Sequence, residues 1–245
     1  MEIKDVLGIG PVAKAAERVT DATVGGAEAF LSRICLPVAE ELGLLLRDKV
    51  HAWRANNLLR IAAKAERVLA AANPGQGKHA HPRLVAGIVD QGSWTEADEV
   101  QELWAGLLAS SCTDDGKDDS SLMFIDILGR LTVSQVCALN HSCKNTRVEL
   151  SPAGWLLGQG PILNLEGLKK VTGLQDVQRI DRELDHLRTI GVLNEGSGGF
   201  RIVSTEADLS PSPLGLQMYA RCNGYRDDPV EYYRKMGILV SSGAP

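Results

Sequence analysis

Apolar residues recur with a helical period through most of the first half of the chain. Residues 1–23 form an Ala-rich amphipathic segment that Gly25 and Gly26 break, and a second helix is expected from about Ala27. The run "ICLPVAEELGLLL" (34–46) is the most apolar stretch, with Pro37 marking a kink or a restart. Residues 47–72 keep the helical pattern without turn signals, after which "NPGQGKHAHP" reads as a loop. In "GSWTEADEVQELWAGLLASSC", Ser93 with Glu96 three residues on is a capping-box signature. Ala97, Val100, Trp104, Leu107 and Leu108 then share one helical face, so Trp104 is expected in the core. The small residues Ala105, Gly106, Ala109 and Ser110 would let a neighbouring helix approach closely. "TDDGKDD" ends this helix, and Ser120 or Ser121 is placed to cap the next, "LMFIDILGRL". Residues 1–130 are therefore expected to be almost wholly helical, with strand only after residue 145.

The pattern changes in the second half. A helix from about Thr132 to His141 precedes "LEGLKKV", a short helix, then "TGL", a tight turn, then the longer helix "QDVQRIDRELDHLRTIG". A hairpin with a Gly-rich tip is expected over 191–204, followed by the helix "SPLGLQMYARC". Helix, short helix, turn, helix, hairpin, helix is the order of a winged helix-turn-helix. The expected architecture is thus mainly α: a helical bundle over 1–130, a winged-helix-like unit over 131–223 with a small β-hairpin, and a tail over 224–245.

Composition adds limits. Apolar residues make up 44% of the 245 positions and charged residues 23%, as in an ordinary soluble protein. A net charge of -5 argues against a protein that mainly coats nucleic acid. The five cysteines are odd in number and scattered among apolar helical patterns, which suits reduced, buried thiols. Cys137, His141 and Cys143 lack a fourth ligand at any usual spacing, so no metal is expected. No basic segment leads an apolar run at the start, and no apolar window reaches about 18 residues. A cytoplasmic protein without a cofactor is expected. Gly8, Gly10 and Ala13 fit a dinucleotide fingerprint in spacing, but no strand precedes them and no βαβ alternation follows. "PGQGKH" lacks the residues of a phosphate loop, and no Ser/His/Asp set is evident.

Two groups of residues are candidates for contact. Lys49, Trp53, Asn56, Arg60, Lys64 and Arg67 fall on one helical face. Lys49, Trp53, Arg60, Lys64 and Arg67 would suit an anionic lipid surface or phosphate, and they equally suit a solvated face of a bundle helix. In the third helix of the winged unit, Gln175, Arg179, Arg182 and His186 lie opposite the apolar face. Asp176, Asp181, Glu183 and Asp185 flank them, so this helix favours a structural or protein-binding role over DNA.

The segments "ICLPVAEELGLLLRDKVHAWRANNLLRIAAKAERVL", "VQELWAGLLASS" and "FIDILGRLTVSQVCAL" together resemble the abortive-infection alpha (Abi-alpha) domain family of bacteria, over about 34–139. The signature positions are Pro37, Glu40, Glu41, Leu42, Gly43, Asp48, Lys49, Trp53 and Arg54, then Leu103, Trp104 and Ala105. The resemblance implies a helical protein of prophages and defence loci linked to resistance against bacteriophage, and it carries over no catalytic residues. The expected function is non-enzymatic phage defence, through a protein partner or phage component, a homo-oligomer, or a membrane surface on activation. The alternative is a winged-helix regulator that binds nucleic acid, and an enzyme ranks below both.

Overall fold

A computed structural model describes residues 21–35, 49–72, 79–195 and 206–240. The sequence expectations for residues 1–20, for Pro37 and most of the 34–46 run, for the loop over 73–78, and for 196–204 of the expected hairpin lie outside the described residues.

The first described helix, α1 (Asp21–Ile34), runs straight through Gly25 and Gly26, contrary to the expected break. Each glycine costs only about 1 kcal/mol in a helix interior. Ala27, Phe30, Leu31 and Ile34, buried along one face, outweigh that cost by packing on α2 (Lys49–Ala72). Two short strands, β1 (His79–Ala80) and β2 (Cys112–Thr113), pair antiparallel. They correct the expectation that strand begins only after residue 145. His81 accepts from Arg83 N at 3.3 Å and Pro82 follows, which starts α3 (Pro82–Gly92) directly after β1.

The helix read as beginning near Ser93 begins instead at α4 (Asp98–Ser110). Its N-cap is Ala97 and makes no side-chain capping bond. Ser93 closes α3 and is buried. Its hydroxyl accepts from Arg54 Nε at 3.0 Å and its carbonyl accepts from Asn57 Nδ2 at 3.0 Å. The hydroxyl that a capping box would use is thus taken by Arg54, and the Ser93 backbone N–H goes to the Gln91 carbonyl. Residues from Leu103 to Ser110 are all buried, so α4 is the central helix. It packs against α2, α3, α6 (Val133–Lys144) and α9 (Pro213–Cys222). Between α4 and α6 lies α5 (Leu122–Leu128), where Ser121 holds the N-cap position without a side-chain capping bond. Thr132 caps α6 in a full capping box with Gln135.

After α6 come β3 (Arg147–Leu150), β4 (Leu156–Gln159) and β5 (Ile162–Asn164), then α7 (Leu165–Thr172) and α8 (Val177–Thr189). The turn between α7 and α8 uses Gly173 at φ 72°, a conformation costly for any residue with a β-carbon. β5 pairs antiparallel with β6 (Glu206–Asp208), and a single bridge joins Leu193 to Pro211. The residues expected as tail include α10 (Pro229–Lys235) and β7 (Leu239–Val240), which pairs parallel with β3. The three-stranded order is β4-β3-β7.

Among the described residues the protein is mainly α, with ten helices and short strands. One apolar core extends from Ala27 through Trp104 and Leu184 to Cys222, crossing the boundary drawn at residue 131. A smaller cluster of Val148, Leu156, Leu216 and Tyr233 seats the sheet, and Tyr233 donates its phenol to the Leu216 carbonyl at 2.7 Å.

Candidate functional site

Four helices distant in sequence line an open cleft of about 470 Å³, a volume usual for small-molecule sites. α2 contributes Lys64, Arg67, Val68 and Ala71. α4 contributes Glu102, Leu103, Ala105 and Gly106, α6 adds Asn140 and Lys144, and α9 with its cap adds Tyr219, Cys222 and Asn223. The floor is fixed by two glycines. A β-carbon on Gly106 would collide with the Cys222 carbonyl, so the end of α9 sits directly on α4. Gly224, at φ 82°, packs against the lining residue Val68, with no room for a β-carbon. Asn223 Nδ2 donates to the Tyr219 carbonyl at 2.8 Å, closing the last turn of α9.

The walls carry uneven charge. Lys64 is paired with Asp98 at the start of α4. Arg67 is exposed and, among the described residues, donates to the Ala63 carbonyl at 3.3 Å. Lys144, in the last turn of α6, is exposed and has no carboxylate partner among the described residues. Glu102 is the one acid among the described lining residues. Burial pushes the Cys222 thiol up to about 12 and raises Tyr219 as well, so both stay neutral at physiological pH. The chemistry offered here is ion pairing and hydrogen bonding against an apolar floor.

The predicted stripe divides between two places. Lys49 is the first residue of α2. Trp53 is half-buried, donates from Nε1 to the Glu96 carboxylate, and tilts against Trp94 with ring centres 6.1 Å apart. Arg60 is half-buried further along α2. Only Lys64 and Arg67 reach the cleft. Next to Trp53, Arg54 stacks on Trp94 at 4.4 Å while bonding Ser93. The signature pair Trp53 and Arg54 therefore fastens α2 to the α3–α4 connection.

The second group lies on α8 and in the turn before it. Gln175, Arg179 and Arg182 are exposed, with Arg179 3.6 Å from the buried Glu183. His186 is half-buried and faces inward, its Nδ1 2.8 Å from Gln135 Nε2. No element brings these residues to the cleft. Sequence reasoning missed Asn140, Lys144, Tyr219 and Asn223, because nothing in local spacing links the ends of α6 and α9 to α2.

Cys143 is fully buried and its thiol is raised by burial, while Cys137 is raised by burial and by the charge of Glu99. Among the described residues no three His, Cys, Asp or Glu side chains gather as a metal group, and no single helix is long and apolar enough to cross a membrane.

The family model described as abortive infection alpha matches residues 54–208, more than half of the chain. The match takes in α2 to α8 and stops before α9, the fourth wall of the cleft. No curated protein and no solved structure matches the chain significantly.

Proposed function

We propose, because the chain belongs to the abortive infection alpha family, that it protects bacterial cells against bacteriophage and acts by binding rather than by chemical conversion. The family match is the observation that carries defence. The cleft supports binding, since its lining offers cations, amides and an apolar floor around a neutral thiol. The membrane branch of the reading has less support from the described part of the stripe. Trp53 and Lys64 are engaged with Glu96 and Asp98 inside the protein instead of being free for headgroups.

The second half supports a finer reading. β5, α7, α8 and β6 follow α6 in the order of a winged helix, with α7 and α8 both packed on α6. The outward cations of α8 are largely paired: Arg179 with Glu183, and Arg188 with Asp185 at 3.0 Å. This favours a protein-binding or structural winged unit over a reader of DNA, whose affinity rests on uncompensated cations.

The test is infection of cells carrying the intact gene beside cells carrying a frameshifted copy, across a panel of phages. Plaque counts should fall at least about tenfold with the intact gene for some phages, with early death or arrest of infected cells. Equal plaque counts and equal survival for every phage would overturn the defence reading.

A further inference from the structure

We infer that the cleft between α2, α4, α6 and α9 binds a phosphate-bearing small molecule of mononucleotide size. This rests on the reading of the protein as one that acts by binding. Its volume of about 470 Å³ lies in the range of sites that enclose a small ligand. Arg67 and Lys144 come from two different walls, and neither has a carboxylate partner among the described residues. Lys64 is already balanced by Asp98, and Glu102 offsets one of the other two charges, so the lining keeps a positive excess.

A tetrahedral phosphate presents oxygens in several directions and can meet cations from two walls at once. A carboxylate, with two coplanar oxygens, is better matched to a single guanidinium fork. The rest of the ligand meets apolar lining at Val68 and Ala71, with only the edges of the buried Leu103, Ala105 and Tyr219 reaching the cleft. Asn140, whose amide makes no hydrogen bond to described residues, is available to a polar edge. The floor is built on close backbone packing, with the end of α9 seated on Gly106 of α4. A site fixed in advance loses little free energy to ordering when the ligand enters.

The experiment titrates the full-length protein by calorimetry with inorganic phosphate and with the four 5′-ribonucleoside monophosphates. Flotation with phosphatidylcholine vesicles, with and without phosphatidylserine, is run in parallel. At least one monophosphate should bind saturably and about tenfold or more tighter than inorganic phosphate, because its body adds apolar contact. Arg67→Ala and Lys144→Ala should each weaken it about tenfold, the loss of one charge-assisted contact. Lys170→Ala, on the exposed face of α7, should leave it unchanged. Ala71→Trp, at the exposed rim, should abolish binding while melting like the parent, which separates a filled cleft from an unfolded one.

No saturable binding up to about 10 mM, the weakest end of useful affinity, overturns the inference. So does binding that survives both Lys144→Ala and Ala71→Trp, and so does binding to anionic vesicles alone. Inorganic phosphate bound as tightly as every monophosphate also overturns it, since the site would then hold an adventitious ion only. Cells carrying Ala71→Trp give the separate readout. Protection retained with binding lost removes the cleft from the defence function and leaves the family reading standing.

Discussion

The carbonyl oxygen of Cys222 occupies the place where a β-carbon on Gly106 would have to sit. Gly106 lies in the middle of α4, where a glycine costs helix stability, and the close approach of α9 is the compensation. Gly106→Ala should therefore destabilise by about 3 kcal/mol, because backbone rather than a flexible side chain must move. Thermal melting should fall by roughly 6–12 °C for a chain of this size. A variant that melts at or above the parent temperature would show that α9 does not rest on α4.

Trp104 is 2% exposed, and Gly92 of α3 lies against its ring. Trp104→Ala should cost about 3–5 kcal/mol through lost burial and a residual cavity. Urea unfolding gives the measure. Unchanged stability with lost phage protection would instead mark Trp104 as a contact residue.

Arg54 gathers contacts from the end of α3 and from the connection that follows it. Its guanidinium lies over Trp94, its Nε donates to Ser93 Oγ at 3.0 Å, and one Nη donates to the Asp90 carbonyl at 3.3 Å. Lysine keeps the charge but has neither the planar stack nor the fork. Arg54→Lys should lose about 1–3 kcal/mol, the range for hydrogen bonds to a charged group. The emission of Trp94, half-exposed beside it, should also shift. Equal stability in the Lys variant would mean that charge alone suffices.

These positions show where the sequence was legible. The helical period located α2, α4, α6, α7, α8 and α9 because each buries a continuous stripe, and burial leaves a periodic trace. The close approach at Gly106 was readable from its small neighbours for the same reason. Ser93 misled because a capping signature is local, whereas its partners Arg54 and Asn57 come from 36 to 39 residues away. Gly25 and Gly26 misled because packing of Ala27, Phe30 and Leu31 overrides a propensity cost. β1 and β2 are too short to show an alternating pattern, and β7 pairs with β3 across some ninety residues. Of the cleft, only Lys64 and Arg67 were read as contact residues, one turn apart on α2. Lys144 and Asn223 join them solely through tertiary packing.

Alkali should unfold the protein cooperatively. Burial raises the thiols of Cys143 and Cys222 and the phenols of Tyr219, Tyr232 and Tyr233, with Cys222 and Tyr232 both pushed up to about 12. The native state thus holds protons that the unfolded state has lost above its ordinary values, about 8.5 for Cys and about 10 for Tyr. Stability from these groups is fully present below those values and declines as pH rises from about 9 toward 12. The phenolate absorbance of Tyr219, Tyr232 and Tyr233 should appear together with the loss of helical circular dichroism. Ionisation of these phenols in a still-helical protein near pH 10 would contradict the burial.

Duplex DNA provides the sharpest check on the second half of the chain. Its helix α8 starts at Asp176, whose side chain accepts from Gln178 N at 2.9 Å, so the end that would enter a groove carries a carboxylate. Arg179 leans on Glu183, Arg188 on Asp185, and in α7 Lys169 on Glu166 at 2.8 Å. His186 is turned inward to Gln135. Arg182 and Lys170 remain exposed without a carboxylate partner among the described residues. Two cations release few counterions, so log K against log salt should have a slope no steeper than about −2. Random duplex should bind no tighter than about 1–100 µM at physiological salt. Fluorescence anisotropy across a salt series gives both numbers. A submicromolar dissociation constant, weakened by Arg182→Ala and steeply salt-dependent, would place nucleic acid ahead of a protein partner for this half of the chain.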